Sequence, residues 1–302
     1  MTERPRVARP RGAGFIQLSG SLLITFRELK STHVAIGLFA VTTIAWGMLA
    51  FAMNLEVVEG SVAALRIFGL DMTPSGRQRD PANGDWIRSA LSLDQFAVSI
   101  QSFIAGAAYL LGTFLGLFAA VPVAAGSFES GRIELVLSKP VSRTRLLAGH
   151  VFGVWIMVLA LATYLVGALW LVFWFKTGIR TDGFLAAIPI ITVMFAVMYG
   201  AALAMLTSGA AAPLTLILTY GLIFASVILS TKEQLLPQLS GTGRTVFMTL
   251  YHVLPNFIEV IMIMAKLVGR QAVETWYPLW SSLAFGAVCY GFAAWRFGRR
   301  NF

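Results

Sequence analysis

The chain has 302 residues, 57% of them hydrophobic and only 12% charged, with a formal net charge of +9. That charged share is about half the share in an ordinary soluble domain, which excludes a water-soluble globular protein. The length accommodates several bilayer-crossing helices of about 20 residues each, and the single cysteine, Cys289, leaves no disulfide framework within the chain.

Residues 1–13 are rich in Arg, Pro and Gly, with no short apolar core and cleavage site of the kind a signal peptide carries. From Phe15 onward, Leu18, Leu22, Phe26 and Leu29 recur at three- and four-residue steps, while Gln17, Ser21, Arg27 and Lys30 occupy the other face. This spacing predicts an amphipathic helix lying in the membrane interface; the alternative is a simple extension of the first span. The first uncharged run, 34–53, is long enough to cross a bilayer. A polar loop, 54–95, follows, with Pro74, Gly76, Pro81 and Gly84 in its middle and Glu56 and Glu59 spaced to share a helix face.

Further spans are predicted at about 96–125, 151–175, 184–206, 213–229 and 278–295. The expected fold is therefore an all-α integral membrane protein of six transmembrane helices, with residues 1–33 as a cytoplasmic N-terminus and 34–302 as one transmembrane domain. Residues 230–277 are broken by Pro237 and Pro255, and their apolar stretch 253–264 is too short to span alone. Short re-entrant or interfacial helices are expected there, the alternative being a seventh, partial crossing. Within that stretch Glu259 is the one acidic residue. Lining an exit path, it would be balanced by Lys266 or Arg270; on an amphipathic outer helix it would sit among headgroups.

The charge is distributed unevenly. Loops on the side of both termini hold 13 Lys and Arg against four acidic residues, whereas the opposite loops hold 10 of each sign. This is the positive-inside pattern, with both termini cytoplasmic, and it accounts for the basic excess without a nucleic-acid partner. Membrane lipid is the partner that the Arg-rich ends fit.

Between the second and third runs lies SFESGRIELVLSKPVSRTRLLAGH, residues 127–150, whose charges Glu129, Arg132, Glu134, Lys139, Arg143 and Arg145 exclude it from lipid. Gly131 and Pro140 punctuate it, and Ser142 is placed to cap a helix running into the third span. Ile133, Val136 and Leu137 can form an apolar ridge flanked by charge, suited to a groove on a soluble partner; a plain solvated loop fits the same residues. Elsewhere the chain is poor in chemistry. No GxxxxGK[ST] loop is present, the histidines His33, His150 and His252 lack metal-ligand spacing, and Met262 and Met264 would face opposite sides of a helix. Gly112 and Gly116 form a GxxxG pair that permits close helix packing, and Trp155, Trp174, Trp276, Trp280 and Trp295 sit where interfacial anchors belong.

Residues 129–149, ESGRIELVLSKPVSRTRLLAG, resemble a segment of ABC-2-type transporter permeases, matching at Glu129, Gly131, Glu134, Leu137, Ser138, Pro140, Val141, Ser142, Arg143, Leu147 and Gly149, with Arg132 in place of a small polar residue. Phe26-Arg27-Glu28-Leu29, Leu254-Pro255-Asn256-Phe257 and Phe297-Gly298-Arg299-Arg300 resemble shorter stretches of the same family, and the layout is most similar to permeases associated with nitrous-oxide-reductase maturation and their uncharacterised relatives. The resemblance implies a permease subunit of an exporter in the bacterial cytoplasmic (inner) membrane, paired with a second permease chain as a homodimer. It also implies a separate cytosolic ATPase that carries the ATP and Mg, so that this chain itself binds no cofactor. Glu129, Arg132, Glu134, Lys139, Pro140, Arg143 and Arg145 would then form the coupling surface, with span two near the dimer interface. The rival readings are an ion-coupled secondary transporter, which calls for mid-membrane ionisable groups, and a lipid-modifying membrane enzyme, which calls for convergent acid, base or metal groups.

Overall fold

The structure is a computed structural model that describes residues 34–58, 61–67, 70–71, 75–79, 86–90, 93–128, 143–178 and 180–299. The expected N-terminal amphipathic helix lies outside the described residues, as do Glu59 and residues 129–142.

Among the described residues, six helices lie along the expected spans and two shorter ones fall within 230–277. They are α1 (Val34–Ala52), α2 (Leu93–Ser127), α3 (Arg143–Thr177), α4 (Ala187–Thr207), α5 (Ala212–Ser230), α6 (Thr242–Val253), α7 (Phe257–Val268) and α8 (Tyr277–Arg299). One 3-10 turn (Asp182–Ala186) leads into α4, and a single helical turn (Lys232–Leu235) follows α5. At 1.5 Å per residue, α2 and α3, with 35 residues each, are about 50 Å long, well beyond the roughly 30 Å hydrocarbon core. Among the described residues, four segments are long and apolar enough to cross a membrane: α2, α3, α4 with its preceding turn, and α5. A fifth is obtained if α6 and α7, bent by 58° at the break between them, are taken as one.

The helical class holds for the membrane domain, but the 54–95 loop is not wholly irregular. Strands β1 (Met53–Val58), β2 (Ser61–Ile67) and β3 (Leu70–Asp71) form one antiparallel sheet, and β4 (Ser75–Arg79) pairs antiparallel with β5 (Trp86–Ala90). Glu56 therefore belongs to a strand, opposite Ala64, and shares no helix face with Glu59. The β1–β2 pairing runs from Met53 opposite Ile67 to Val58 opposite Ser61.

Helix α4 is the centre of the bundle. About two thirds of its apolar window is buried, against 28% for α3 and α5, and it packs on α2, α3, α5 and α8. Its closest neighbour is α8, because each helix offers the other a glycine. A Cβ at Gly200 would come within 2.8 Å of the Tyr290 ring, and one at Gly286 within 3.1 Å of Val197. Small residues let two backbones approach where no hydrophobic driving force separates helix from lipid. The phenol of Tyr290 completes the seam, donating to the Ala196 carbonyl (2.7 Å) and accepting from the Trp155 indole (3.0 Å). Trp155 is thus a partner inside the bundle rather than an interfacial anchor, while Trp174, Trp276, Trp280 and Trp295 are exposed as anchors would be.

At the edge, α1 leans on α3 mainly through Tyr164. Phe39 stacks on its ring at 4.8 Å, and Thr43 and the Trp46 indole each lie 3.1 Å from its hydroxyl. The remaining face of α1 leaves Ile36, Val41, Ile44 and Met48 exposed. So do the outer faces of α2 (Phe103, Phe118), α3 (Phe152, Phe175) and α5 (Ile217, Phe224). Large apolar side chains turned outward all around a bundle mark a lipid-facing surface.

Candidate functional site

Both flanks of the charged segment reach the same end of the bundle. On one side α2 finishes at Ser127, whose hydroxyl caps back onto the Val123 carbonyl (2.8 Å), and Phe128 turns inward. On the other side α3 begins at Arg143. Arg143 and Arg145 occupy its first turn, Arg145 exposed and Arg143 half-buried. Glu129, Arg132, Glu134, Lys139 and Pro140 lie outside the described residues.

What the flanks meet is a buried cluster of rings. Phe128 lies 5.8 Å from the His150 imidazole and 5.1 Å from Phe297 of α8, centroid to centroid. His150 Nε2 makes a 2.8 Å hydrogen bond with the Tyr199 hydroxyl of α4, and Tyr199 stacks on Phe195 one turn back (5.7 Å). His150 is 5% exposed and Tyr199, Phe195 and Phe297 are fully buried. Four elements are tied at this point: the end of α2, the start of α3, the middle of α4 and the end of α8. Phe297 belongs to the Phe-Gly-Arg-Arg stretch, so the C-terminal motif is spatially beside the coupling-like one. A lone histidine in an apolar run gives no sign in the sequence of a partner 49 positions away.

A different set of helices, α5 to α8, converges at the opposite end of α8. Asn256, in the break between α6 and α7, is 1% exposed. Its backbone N–H donates to Ser282 Oγ (2.9 Å), and its side-chain amide donates to Ser281 Oγ (3.0 Å) and the Tyr251 carbonyl (3.4 Å). The next free amide, on Ile258, donates to Ser226 Oγ of α5 (3.0 Å). A break in a helix leaves orphan backbone groups; here serines of α5 and α8 take them up, which explains a Leu-Pro-Asn stretch at this place. The Tyr109 hydroxyl of α2 also donates to the Phe257 carbonyl (2.8 Å).

Glu259 lies in the first turn of α7, only 16% exposed. Its counter-charge is neither Lys266 nor Arg270 but Lys232, just past α5, at 3.1 Å. The Tyr251 hydroxyl donates to Glu259 (2.7 Å) and accepts from the Lys232 ammonium (2.6 Å), which also sits 4.3 Å over the tyrosine ring. Burial acts to lower the Lys232 pKa, but the bonds to Tyr251 and Glu259 and the glutamate's charge outweigh it, and the net shift is upward from 10.5. Lys266 is instead paired with Glu274 (3.0 Å), and the Arg270 guanidinium reaches the Arg180 carbonyl (3.4 Å). Lys232, Glu259, Lys266 and Glu274 line an open pocket of about 360 Å³, together with Met262 of α7.

The GxxxG pair divides its work. A Cβ at Gly116 would lie 2.8 Å from the Phe195 ring, so this glycine serves the contact of α2 with α4, whereas Gly112 has nothing within 4 Å. Met264 is buried and Met262 exposed, on opposite sides of α7. Among the described residues, no three His, Cys, Asp or Glu side chains gather as a metal site would need.

An apolar helical bundle with a central buried helix, lipid-facing outer faces and a bent helix pair at one end defines a multi-pass membrane protein. The family model for the ABC-2 family transporter protein matches residues 58–302, and the chain belongs to that family. It is accordingly a membrane permease of the ABC transporter class. Comparison with curated proteins gave no match.

Proposed function

We propose that this permease is driven by a separate cytosolic ATPase that grips residues 127–150, and that it works as an exporter in a bacterial cytoplasmic membrane, with six crossings (α1–α5 and α8) and both termini cytoplasmic. The observation that carries the reading is the convergence of both flanks of the segment on one buried cluster that also holds α4 and α8. A push on Glu129–Arg145 would be delivered to the centre of the bundle rather than to a peripheral helix.

An ion-coupled mechanism finds less support. Residues 97–127, 151–175, 187–207 and 212–230 contain no Asp, Glu, Lys or Arg, and Glu259 is already matched by Lys232. Energy from ATP on a partner is the economical alternative. A second copy of the chain is expected along α2, where Leu111, Leu115 and Phe118 form an exposed stripe at i, i+4, i+7 beside the open Gly112. Glu259, with the pocket above α7, would line the exit.

Arg143→Glu with Arg145→Glu tests the grip. The pair should cut co-purification of a nucleotide-binding protein by roughly tenfold or more, as like charges set opposite each other do at an interface, with membrane insertion unchanged. Full retention of the ATPase by the double variant would remove the proposal.

A further inference from the structure

We infer that His150 and Tyr199 are positioning residues that transmit movement of the 127–150 segment to α4, their single hydrogen bond being the joint between the two. The inference rests on the coupling reading above and adds to it the side chains through which the stroke passes.

Three observations lead there. The joint is polar in an otherwise apolar neighbourhood: at one end of it stand Phe128 and Phe297, at the other Phe195. Ring contacts can slide, because dispersion has no direction, whereas a 2.8 Å hydrogen bond fixes one distance and one orientation. The bond is also cut off from water, with His150 5% and Tyr199 0% exposed, so breaking it leaves a buried donor and acceptor without partners. Finally, what Tyr199 is attached to is the most enclosed helix of the bundle. Phe195 stacks on it and abuts Gly116 of α2, while Ala196 and Gly200 bear on Tyr290 of α8. A rotation imposed on the start of α3 is thereby passed to α4 at Tyr199 and on to α2 and α8, beside the direct contacts that His150 makes with Phe128 and Trp155 with Tyr290.

A merely structural bond and a transmitting one differ in a double substitution. His150→Phe or Tyr199→Phe alone strands one polar group and should lower thermal stability; replacing both partners by apolar rings of similar shape should restore most of it. Transmission should not be restored, since the directional contact is still missing. The conservative His150→Gln, which keeps a side-chain group able to bond the hydroxyl, should rescue it.

The measurement uses the full chain in lipid nanodiscs with whatever nucleotide-binding protein co-purifies, a Cys289→Ser background and an Ala272→Cys reporter in the exposed stretch after α7. The rate of maleimide labelling is read before and after trapping with ATP and vanadate. The trapping-induced change seen in the wild-type chain should fall by about tenfold in Tyr199→Phe and in the double Phe variant, the factor corresponding to one lost buried hydrogen bond, and should survive in His150→Gln. A trapping response that persists in both Phe variants while the ATPase stays bound overturns this inference and leaves the coupling reading standing. A wild-type chain that retains no nucleotide-binding protein, or shows no response to trapping, overturns both.

Discussion

The two ends of the bundle are closed by opposite chemistries. At the segment end, Phe128, His150, Tyr199 and Phe297 form a neutral, buried cluster held by ring contacts and one hydrogen bond. At the end where α6 bends into α7, Lys232, Tyr251 and Glu259 form a charged, largely buried one, with the more exposed pairs Lys266–Glu274 and Arg180–Asp182 around it. Buried neutral contacts demand close geometry and move their neighbours when they move. Exposed ion pairs are worth little and exchange readily with water or solutes. The contrast fits a molecule that is stiff where force would enter and loose where cargo would leave.

The most damaging way to break the stiff end is through its packing. Gly116→Leu drives a side chain into the buried Phe195 ring, which has Tyr199 stacked behind it. Overpacking of this kind costs typically about 1–3 kcal/mol, and the melting temperature in detergent should fall accordingly. Gly112→Leu, facing open space one turn away, should leave the monomer's stability unchanged, while weakening dimer cross-linking if the second chain docks beside it. Equal losses from the two substitutions would show that α2 packs on α4 otherwise than described.

At the α6–α7 end the fixed element is Asn256, not the charges. Asn256→Leu removes its amide bonds to Ser281 and the Tyr251 carbonyl in a site 1% exposed. A loss of about 1–3 kcal/mol is expected, with hydrogen exchange rising in α6 and α7 but not in α4. A spread of the exchange into α4 would mean the two ends are not independent.

Why some of this was legible and some was not follows from the range of each signal. Hydrophobic run length is local, so the bounds of α1 to α5 and of α8 could be read from where charges and prolines stop. Pro255 announced the break between α6 and α7, and Asn256 beside it belonged to a stretch already singled out. The strands after α1 escaped because Pro74, Gly76, Pro81 and Gly84 in the middle of the loop drew attention from the β-branched Val57, Val58 and Val62 that β1 and β2 contain. Partners distant in the chain had no sequence signal at all. Lys266, seven residues from Glu259, was the natural counter-charge by spacing, yet the structure brings Lys232 across from the end of α5. His150 likewise finds Tyr199 only through the packing of α3 on α4.

The smallest effects, and the finest test of the comparison, lie in the charges themselves. Lys232→Met removes the partner of a carboxylate only 16% exposed, whereas Lys266→Met removes the partner of Glu274, 85% exposed. Surface pairs contribute about 0–1 kcal/mol. Lys266→Met should therefore be nearly silent in a thermal melt, and Lys232→Met should cost on the order of 1 kcal/mol, the upper part of that range. The pH dependence separates them further. Because the Lys232 pKa is raised above 10.5 in the folded protein, its stabilisation is fully present below that value and is lost only as pH climbs through the higher folded one. The difference between wild type and Lys232→Met should thus stay constant from neutral pH to about pH 10 and close above it. A difference that shrank between pH 7 and 9 would mean that burial, rather than the bonds to Tyr251 and Glu259, sets the Lys232 pKa, and that the ion pair is weaker than its geometry implies.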